Sequence, residues 1–289
     1  MLFASPFLVG LVVLIGYPIV ASAVYSFTDF NLFQDPKWVG LDNYVQLFTR
    51  DERFWKSVWN TTYLTMVGVP LSIGLALLFA HALNLPVRGQ PLYRALVYLP
   101  MVVPVVVGGY LWRWLLNAQY GFVNYLLGLV GLPEPLWLVS PDWGKPALIL
   151  ISMWTIGGTT LIYLAALREV PAELYEAASI DGAGVWAKFR NVTWPSISAI
   201  TLFQVIVSVI AHIQVFTVPY VLTKEGALGV PGGVDNNMLT YAVYLFQAAF
   251  TDLRMGYASA MAWLLFLVTL VITAVLLKGS KRWVHNDDN

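Results

Sequence analysis

The amino-acid sequence predicts an all-α membrane protein whose six transmembrane helices form one domain, residues 1–289. Two observations carry this prediction. Hydrophobic residues make up 58% of the chain and charged residues only 11%, whereas soluble domains carry roughly a quarter charged residues. In addition, several segments contain the roughly 20 successive apolar residues that a helix needs to cross the hydrocarbon layer.

The six predicted helices are stretches with little or no side-chain charge. They lie near residues 3–27, 58–83, 95–116, 147–167, 199–222 and 256–277. Prolines fall inside several of these stretches, among them Pro18, Pro70, Pro100 and Pro104. We expect them to bend the helices without breaking them, because neighbouring helices or water can satisfy the freed carbonyl groups.

Two more uncharged stretches, 114–133 and 236–251, are interpreted as interfacial helices and not as spans. Asn117, Gln119 and Asn124 place amides in the first of them. Basic residues in short loops favour the cytoplasmic side of a membrane. Arg88 and Arg94 before the third helix, and Lys278, Lys281 and Arg282 after the last, fall on one side in a six-helix count. That side is predicted to be the cytoplasm, and both termini with it.

Charge and residue types exclude several functions. The 16 basic residues balance the 16 acidic ones, so no net field attracts nucleic acid, and the absence of cysteine removes thiolate metal sites and cysteine nucleophiles. An ion-coupled secondary transporter commonly places carboxylates at mid-membrane, and the six predicted spans contain neither Asp nor Glu. An intramembrane enzyme would need paired carboxylates, a metal cluster or an activated serine. His81, His212 and His285 lie far apart, so no catalytic residue and no metal ligand is predicted.

The loop between the fourth and fifth predicted helices, residues 168–198, is the most charged part of the chain. Seven charges lie within 168–195, and at about 3 kcal/mol per charge near the bilayer centre they would cost on the order of 20 kcal/mol in lipid. Pro171 suits a first helical position, Glu173 complements the helix dipole, and Gly182 favours a left-handed stop after Asp181. A second short helix is expected to end at Pro195.

Here the sequence resembles the membrane subunits of ATP-binding-cassette importers. Their cytoplasmic motif, Glu-Ala-Ala followed by Asp-Gly-Ala and a spaced Phe and Pro, is matched by Glu176, Ala177, Ala178, Asp181, Gly182, Ala183, Phe189 and Pro195. Further matches point to the carbohydrate-uptake branch, the maltose-type and glycerol-phosphate-type permeases. These are Asn60-Thr61, Arg88-Gly89, Gln214-Val215-Phe216 and Met255-Gly256-Tyr257-Ala258.

The resemblance implies a permease subunit of the inner membrane that carries a sugar or a related small polar solute. It implies a second homologous permease subunit, a pair of ATPase subunits and an extracytoplasmic solute-binding protein as partners, besides membrane lipid. The chain contains no Gly-x-x-x-x-Gly-Lys-Ser/Thr loop, so ATP and Mg are expected in the partner ATPase and no cofactor is expected in this chain. Ala177 and Ala178 give the 171–183 helix a flat side for docking, and Glu173, Glu176 and Asp181 are available for charged hydrogen bonds.

A polar solute needs side chains that replace its water. Gln204, Ser208 and His212 recur every four residues and therefore share one face of the fifth helix. Polar groups inside a membrane face either a cavity or another helix, so both lining of the solute pathway and helix packing remain open for these three residues. Gln214 and Trp154 are further candidates for the pathway. The segments 42–55 and 239–250 are candidates for receiving the binding protein, with a position on the membrane surface as the alternative.

Overall fold

A computed structural model describes residues 5–86, 88–224, 231–281 and 284. Arg282 and His285 therefore lie outside the described residues. The helices are α1 (Ser5–Tyr25), α2 (Asp42–Thr49), α3 (Glu52–Asn84), α4 (Gln90–Val102), α5 (Val105–Leu115), α6 (Phe122–Leu129), α7 (Gly144–Trp154), α8 (Gly157–Glu169), α9 (Ala172–Ile180), α10 (Val185–Lys188), α11 (Trp194–Ile213), α12 (Thr217–Lys224), α13 (Tyr241–Phe246) and α14 (Met255–Ser280). Within the described ranges, β-type pairing is limited to one isolated bridge, Thr28 with Trp38, which confirms the all-α class.

Four helical stretches are long and apolar enough to cross a membrane by themselves. They are α1, α3, α14 and the stretch Val185–Lys224, which contains α10, α11 and α12. Two bent pairs also qualify: α4 with α5, at 100°, and α7 with α8, at 48°. The described chain thus has four candidate spans, or up to six when each bent pair is one span. The stretches predicted near 58–83 and 256–277 lie within α3 and α14.

The expectation that Pro104 only bends the third span is wrong. Val103 and Pro104 are both extended, with ψ angles of 125° and 133°, and they separate α4 from α5 completely. A residue before proline is pushed out of the helical region by the ring, and proline itself offers no N–H to continue the ladder. Pro70 and Pro100, by contrast, lie inside α3 and α4 as predicted.

The expected helix end at Pro195 is also wrong. The chain stays helical from Val185 to Ile213, and a π-helical segment, Phe189–Thr193, joins α10 to α11 ahead of this proline. A second π-helical segment, Leu11–Gly16, precedes Pro18 inside α1. In a regular helix the proline ring clashes with the carbonyl four residues earlier, and the wider π turn removes that contact.

α3 is the central helix of the bundle. At one end, Leu83 of α3 packs with Leu167 of α8 and Ile197 of α11 in one buried cluster. Towards the other end, Leu64 of α3 packs with Leu148 of α7 in a second cluster. α3 and the pair α7–α8 therefore run in the same direction, and they finish where α9 projects from the bundle. We call this the α9 end.

The bend between α7 and α8 lies against α4. A Cβ atom on Gly157 would collide with the backbone carbonyl oxygen of Val97 and the Cα atom of Tyr98. On Gly158 it would come 2.7 Å from the Sδ atom of Met101. α4 thus approaches the start of α8 closely because Gly157 has no side chain.

Candidate functional site

The predicted docking helix is present as α9, and its end has the geometry that the sequence indicates. Gly182 adopts a left-handed conformation with φ of 75°. The N–H of Ala183 donates to the carbonyl of Ala178 at 2.9 Å, and the N–H of Gly182 donates to that of Ser179 at 3.1 Å. This pair of bonds is the Schellman arrangement, which satisfies carbonyl groups left over at a helix end. Pro171 is the N-cap, one position before the predicted one.

α9 presents its motif residues to the outside. Glu173, Glu176, Ala177 and Asp181 are exposed, while Ala178 and Ala183 are partly buried. No residue of α9 is fully buried within this chain. Charged and small side chains are therefore both available to a partner, as a docking helix requires.

Apolar residues next to the motif add to this surface, and sequence reasoning missed them. Ile180, Val185 and Trp186 are 88%, 82% and 73% exposed, although they lie in a highly charged loop. Contiguous apolar patches with a polar rim mark protein interaction sites, so these three exposed side chains are candidates for contact with a partner. The sequence contains one signal that could have identified them: they are apolar residues inside a segment that carries seven charges.

Phe189 and Pro195 lie on the helical segment that follows the turn. The ring of Phe189 stacks on that of Trp186 with centroids 5.5 Å apart, and its centroid lies 6.4 Å from that of Trp194. Pro195 lies in the first turn of α11. These two motif residues thus shape the connection from the turn to α11, and they are not part of α9.

A cavity of about 220 Å³ lies between five helices, α3, α5, α7, α11 and α12, on the side of the bundle away from α9. His212 lines it, together with Leu64 of α3, Val105 of α5, Thr155 and, from α7, Ser152. Most of its lining is apolar, and Ser152 and Thr155 are polar groups that the sequence did not single out.

The three polar residues of α11 have different surroundings. Nδ1 of His212 donates to the carbonyl oxygen of Ser208 at 2.9 Å, so the ring is held against its own helix. His212 also packs on Gly68 of α3, where a Cβ atom would lie 2.9 Å from Nε2. Gln204 is only 3% exposed, which is typical of helix packing. Of the three side chains, that of His212 lines the cavity.

The two other candidates for the solute pathway, Trp154 and Gln214, lie close to the cavity but outside its lining. Trp154 ends α7, and its ring meets that of Trp112 edge to face, with centroids 5.8 Å apart. It also packs on Gly108 of α5, where a Cβ atom would lie 3.3 Å away. Gln214 is exposed and is the C-cap residue directly after α11. Each is the chain neighbour of a residue that lines the cavity: Trp154 precedes Thr155, and Gln214 precedes Val215.

At the end opposite α9, the two segments considered for the binding protein come together. The Asp51 carboxylate caps α3 through the N–H of Phe54 at 3.0 Å and accepts hydrogen bonds from the hydroxyls of Tyr244 and Tyr257. Arg53 donates to Oε1 of Gln247 at 2.5 Å. Burial, followed by the hydrogen bond to Asp51, raises the pKa of the Tyr244 hydroxyl above its usual value. We call these five residues (Asp51, Arg53, Tyr244, Gln247 and Tyr257) the Asp51 cluster.

The motif pair Asn60-Thr61 attaches to the same end of the fold. Nδ2 of Asn60 donates to the carbonyls of Asn236 and Leu239, at 2.7 and 3.0 Å, and Oγ1 of Thr61 accepts from the N–H of Tyr241 at 2.8 Å. Both side chains are buried. They fix the start of α13 on α3, and this explains why these residue types occur at this position.

Among the residues that the structure describes, no three His, Asp or Glu side chains come close enough to hold a metal ion. The candidate sites are therefore the exposed α9 surface and the cavity beside His212.

Comparison with known proteins decides the family. The profile of the family described as "Binding-protein-dependent transport system inner membrane component" matches residues 68–284. The chain belongs to this family. It is a multi-pass inner-membrane permease component, and the secondary-transporter and enzyme alternatives are set aside.

Relatives of this permease extend the match along nearly the whole chain. The probable ABC transporter permease protein YesP of Bacillus subtilis is 40% identical, over 98% of this chain and 90% of its own length. The sulfoquinovosyl glycerol transport system permease protein SmoG of Agrobacterium fabrum is 31% identical, over 96% and 88%. The trehalose/maltose transport system permease protein MalF of Thermococcus litoralis is 32% identical, over 94% and 90%.

A solved structure has the same fold as this permease. It is a chain of a bacterial ABC transporter involved in the import of the acidic polysaccharide alginate, with a TM-score of 0.83 and 24% identity. The superposition covers 97% of this chain and 95% of that chain. The arrangement of helices is therefore that of an ABC importer subunit.

Proposed function

We propose that this permease is one of two membrane-spanning subunits of an ATP-driven importer that carries a sugar or a related small polar solute across the inner membrane. The observation that carries the proposal is α9: an exposed helix with a Glu-Ala-Ala sequence and a Schellman end, projecting from a bundle of apolar helices. The sugar class is supported by relatives named for sulfoquinovosyl glycerol, trehalose/maltose and arabinooligosaccharides.

The proposed topology has six spans, with each bent pair crossing the membrane once. The α9 end then carries the loop before α4, the 168–198 loop and the end of α14. Basic residues at these places are Arg88, Arg94, Arg168, Lys188, Arg190, Lys278 and Lys281. Such an excess of basic residues favours the cytoplasm for the α9 end and for both termini. The whole chain is then one transmembrane domain with the coupling loop inside it.

Three kinds of partner protein are proposed for this permease. An ATPase pair receives α9 and performs the ATP and Mg chemistry, since the permease sequence has no phosphate-binding loop. A second permease subunit completes the pathway, and an extracytoplasmic binding protein delivers solute near the Asp51 cluster. A bacterial alginate ABC transporter with the same fold was solved in complex with an alginate pentasaccharide-bound periplasmic protein, which supports this last partner.

The proposed mechanism links the two candidate sites. Closure of the ATPase pair displaces α9, and the displacement rocks the spans so that the space beside His212 opens alternately to the two sides. Gln204, Ser208, Gln214 and Trp154 are proposed to border the pathway in one or another of these states. In the conformation described here the cavity of about 220 Å³ is largely apolar, and polar contacts for a sugar would come from Ser152, Thr155 and His212.

Two substitutions in α9 and its turn test this proposal. Glu176→Lys reverses a charge on the exposed face. Gly182→Trp places a large side chain where the backbone has φ of 75° and where no atom lies within 4 Å of a Cβ atom, so the turn is strained without a clash in this chain. Both variants are expected in the membrane at normal levels, without co-purifying ATPase and without uptake. Glu134→Lys, a charge reversal at an exposed residue of the loop after α6, is the matched control. Uptake that persists in both α9 variants would contradict the proposal.

A further inference from the structure

Among the residues that the structure describes, the side-chain hydrogen bonds from α9 to other helical segments go to the stretch that follows it, at Thr193 and Lys188. On the preceding side, Val170 and Pro171 are extended, with ψ angles of 121° and 132°, so the backbone leaves the helical region between α8 and α9. On the following side, the hydroxyl of Tyr175 lies 2.9 Å from Oγ1 of Thr193. Thr193 is 6% exposed and immediately precedes α11. The bond therefore joins the middle of α9 to the base of the fifth span.

A second hydrogen bond also connects α9 to the helical stretch that follows it. Nζ of Lys188 donates to Oγ of Ser179 at 2.7 Å, and this hydroxyl donates in turn to the carbonyl of Tyr175 at 2.6 Å. Both side chains are exposed to solvent at this bond, so water competes for it. The Tyr175–Thr193 bond is the better shielded of the two, because Thr193 is buried.

From Val185 the chain continues as an uninterrupted helix to the cavity. Residues 188, 189, 193 and 194 all have right-handed helical angles, so the π-helical segment connects α10 to α11 without a break. At roughly 1.5 Å per residue, the stretch from Val185 to Ile213 is about 40 Å long. It ends beside His212, which lines the cavity. A continuous helix therefore connects the docking region with the candidate pathway.

We infer that Tyr175 and Thr193 are positioning residues that make α9 move as one body with α11, so that displacement of α9 reaches the cavity through the fifth span. The inference rests on the proposed function, because it assumes that an ATPase displaces α9. In this inference the fourth span, whose helix ends before Val170, does not carry the displacement. When the Tyr175–Thr193 bond is lost, α9 can still dock but pivots without turning α11, and ATP is hydrolysed with less transport.

The first test measures solute molecules transported per ATP hydrolysed, in proteoliposomes that contain the complete complex. Tyr175→Phe and Thr193→Val each remove one hydroxyl and little volume. Each is expected to lower the ratio about two- to tenfold, the factor that one neutral hydrogen bond supports in an equilibrium. The double variant is expected to be no worse than either single variant, because both remove the same bond. Thr193→Ser keeps the hydroxyl and should keep the ratio.

Controls match these changes elsewhere in the chain. Tyr125→Phe alters an exposed tyrosine of α6, and Thr269→Val alters a threonine of α14 whose hydroxyl donates only to its own helix, at the Leu265 carbonyl. Both should leave the ratio unchanged. An unchanged ratio in Tyr175→Phe and Thr193→Val, or additive losses in the double variant, would overturn the inference. A wild-type complex without ATP-dependent uptake would overturn the proposed function and, with it, the inference.

A second measurement does not require an ATPase. Because the chain contains no cysteine, cysteines introduced at the exposed positions Ala172 and Phe203 carry the only two spin labels in the purified permease. A narrow interspin distance distribution is expected in the otherwise unchanged protein, and a broad one in Tyr175→Phe. Equally narrow distributions would show that the bond does not hold α9 to α11 and would overturn the inference, even if the importer function stands.

Discussion

The hydroxyl of Tyr257 donates a hydrogen bond to the carboxylate of Asp51, which joins the first turn of α14 to the N-cap of α3. Tyr244 donates to the same carboxylate oxygen. The guanidinium groups of Arg53 and Arg254 lie over the rings of Tyr244 and Tyr257, 4.9 and 4.0 Å from the centroids. One carboxylate thus organises three helices at the end of the molecule opposite α9.

Substitution Asp51→Asn is expected to destabilise this end of the fold. The amide still accepts a hydrogen bond, but the bonds from both tyrosines lose their charge assistance, at a cost of about 1–3 kcal/mol. Thermal unfolding of the detergent-solubilised protein measures the loss. The matched change Asp252→Asn, at an exposed aspartate, should leave the unfolding temperature almost unchanged. Equal effects of the two substitutions would count against the role of Asp51.

Tyr244 also gives stability a predictable pH dependence. Its pKa is raised in the folded protein by burial and by the bond to Asp51, and the unfolded value is about 10. The neutral hydroxyl is therefore favoured by folding. Its contribution is complete below about pH 10 and decreases as the pH rises above that value towards the folded pKa. Unfolding temperatures between pH 8 and 11 should fall more steeply for the wild type than for Tyr244→Phe. Parallel curves would contradict this assignment.

Two adjacent glycines should respond differently to the same change. Gly157→Ala forces a Cβ atom onto the backbone of Val97 and Tyr98, which belongs to α4 and cannot rotate away. Gly158→Ala meets the Sδ atom of Met101, the end of a flexible side chain. We expect Gly157→Ala to cost about 3 kcal/mol or to prevent folding, and Gly158→Ala to cost less than about 1 kcal/mol. Detergent unfolding curves measure both, and similar losses would refute the close approach of α4.

The cavity beside His212 can be tested by filling it. Ala211→Phe adds a ring at a residue that lines the cavity. Uptake should fall at least about tenfold while the ATPase subunits still co-purify, because α9 is unchanged. Val207→Phe introduces the same ring type one turn earlier on α11, at a residue that is 45% exposed, and should preserve uptake. The pathway proposal fails if Ala211→Phe transports at the wild-type rate.

Local chemistry made the main elements predictable from the sequence. The uncharged stretches within α3 and α14 are long enough to identify themselves as spans, and Gly182 marks the end of α9 because its left-handed conformation is costly for other residues. The family motif also located the exposed α9 surface, because six of its eight residues lie close together in sequence, between Glu176 and Ala183. These predictions needed no knowledge of which distant residues meet.

Other features depend on distant residues and were missed. The break at Thr155 and Ile156 contains no proline, and it is recognisable only once α4 is known to pass over Gly157. The Asp51 cluster joins side chains about 200 positions apart, which no periodicity reveals. The prediction of a helix end at Pro195 rested on the general rule that proline ends a helix. In the structure a π-helical segment before Pro195 relieves the clash, and the helix continues.

The most direct measurement of the central claim is ATP-driven, binding-protein-dependent uptake of radiolabelled sugar by proteoliposomes, compared between the wild type and a variant in which residues 172–183 are replaced by a Gly-Ser linker of equal length. The permease account predicts saturable uptake for the wild type and uptake at the level of ATP-free vesicles for the linker variant. Uptake by the linker variant at the wild-type rate would contradict the claim that α9 transmits the work of the ATPase.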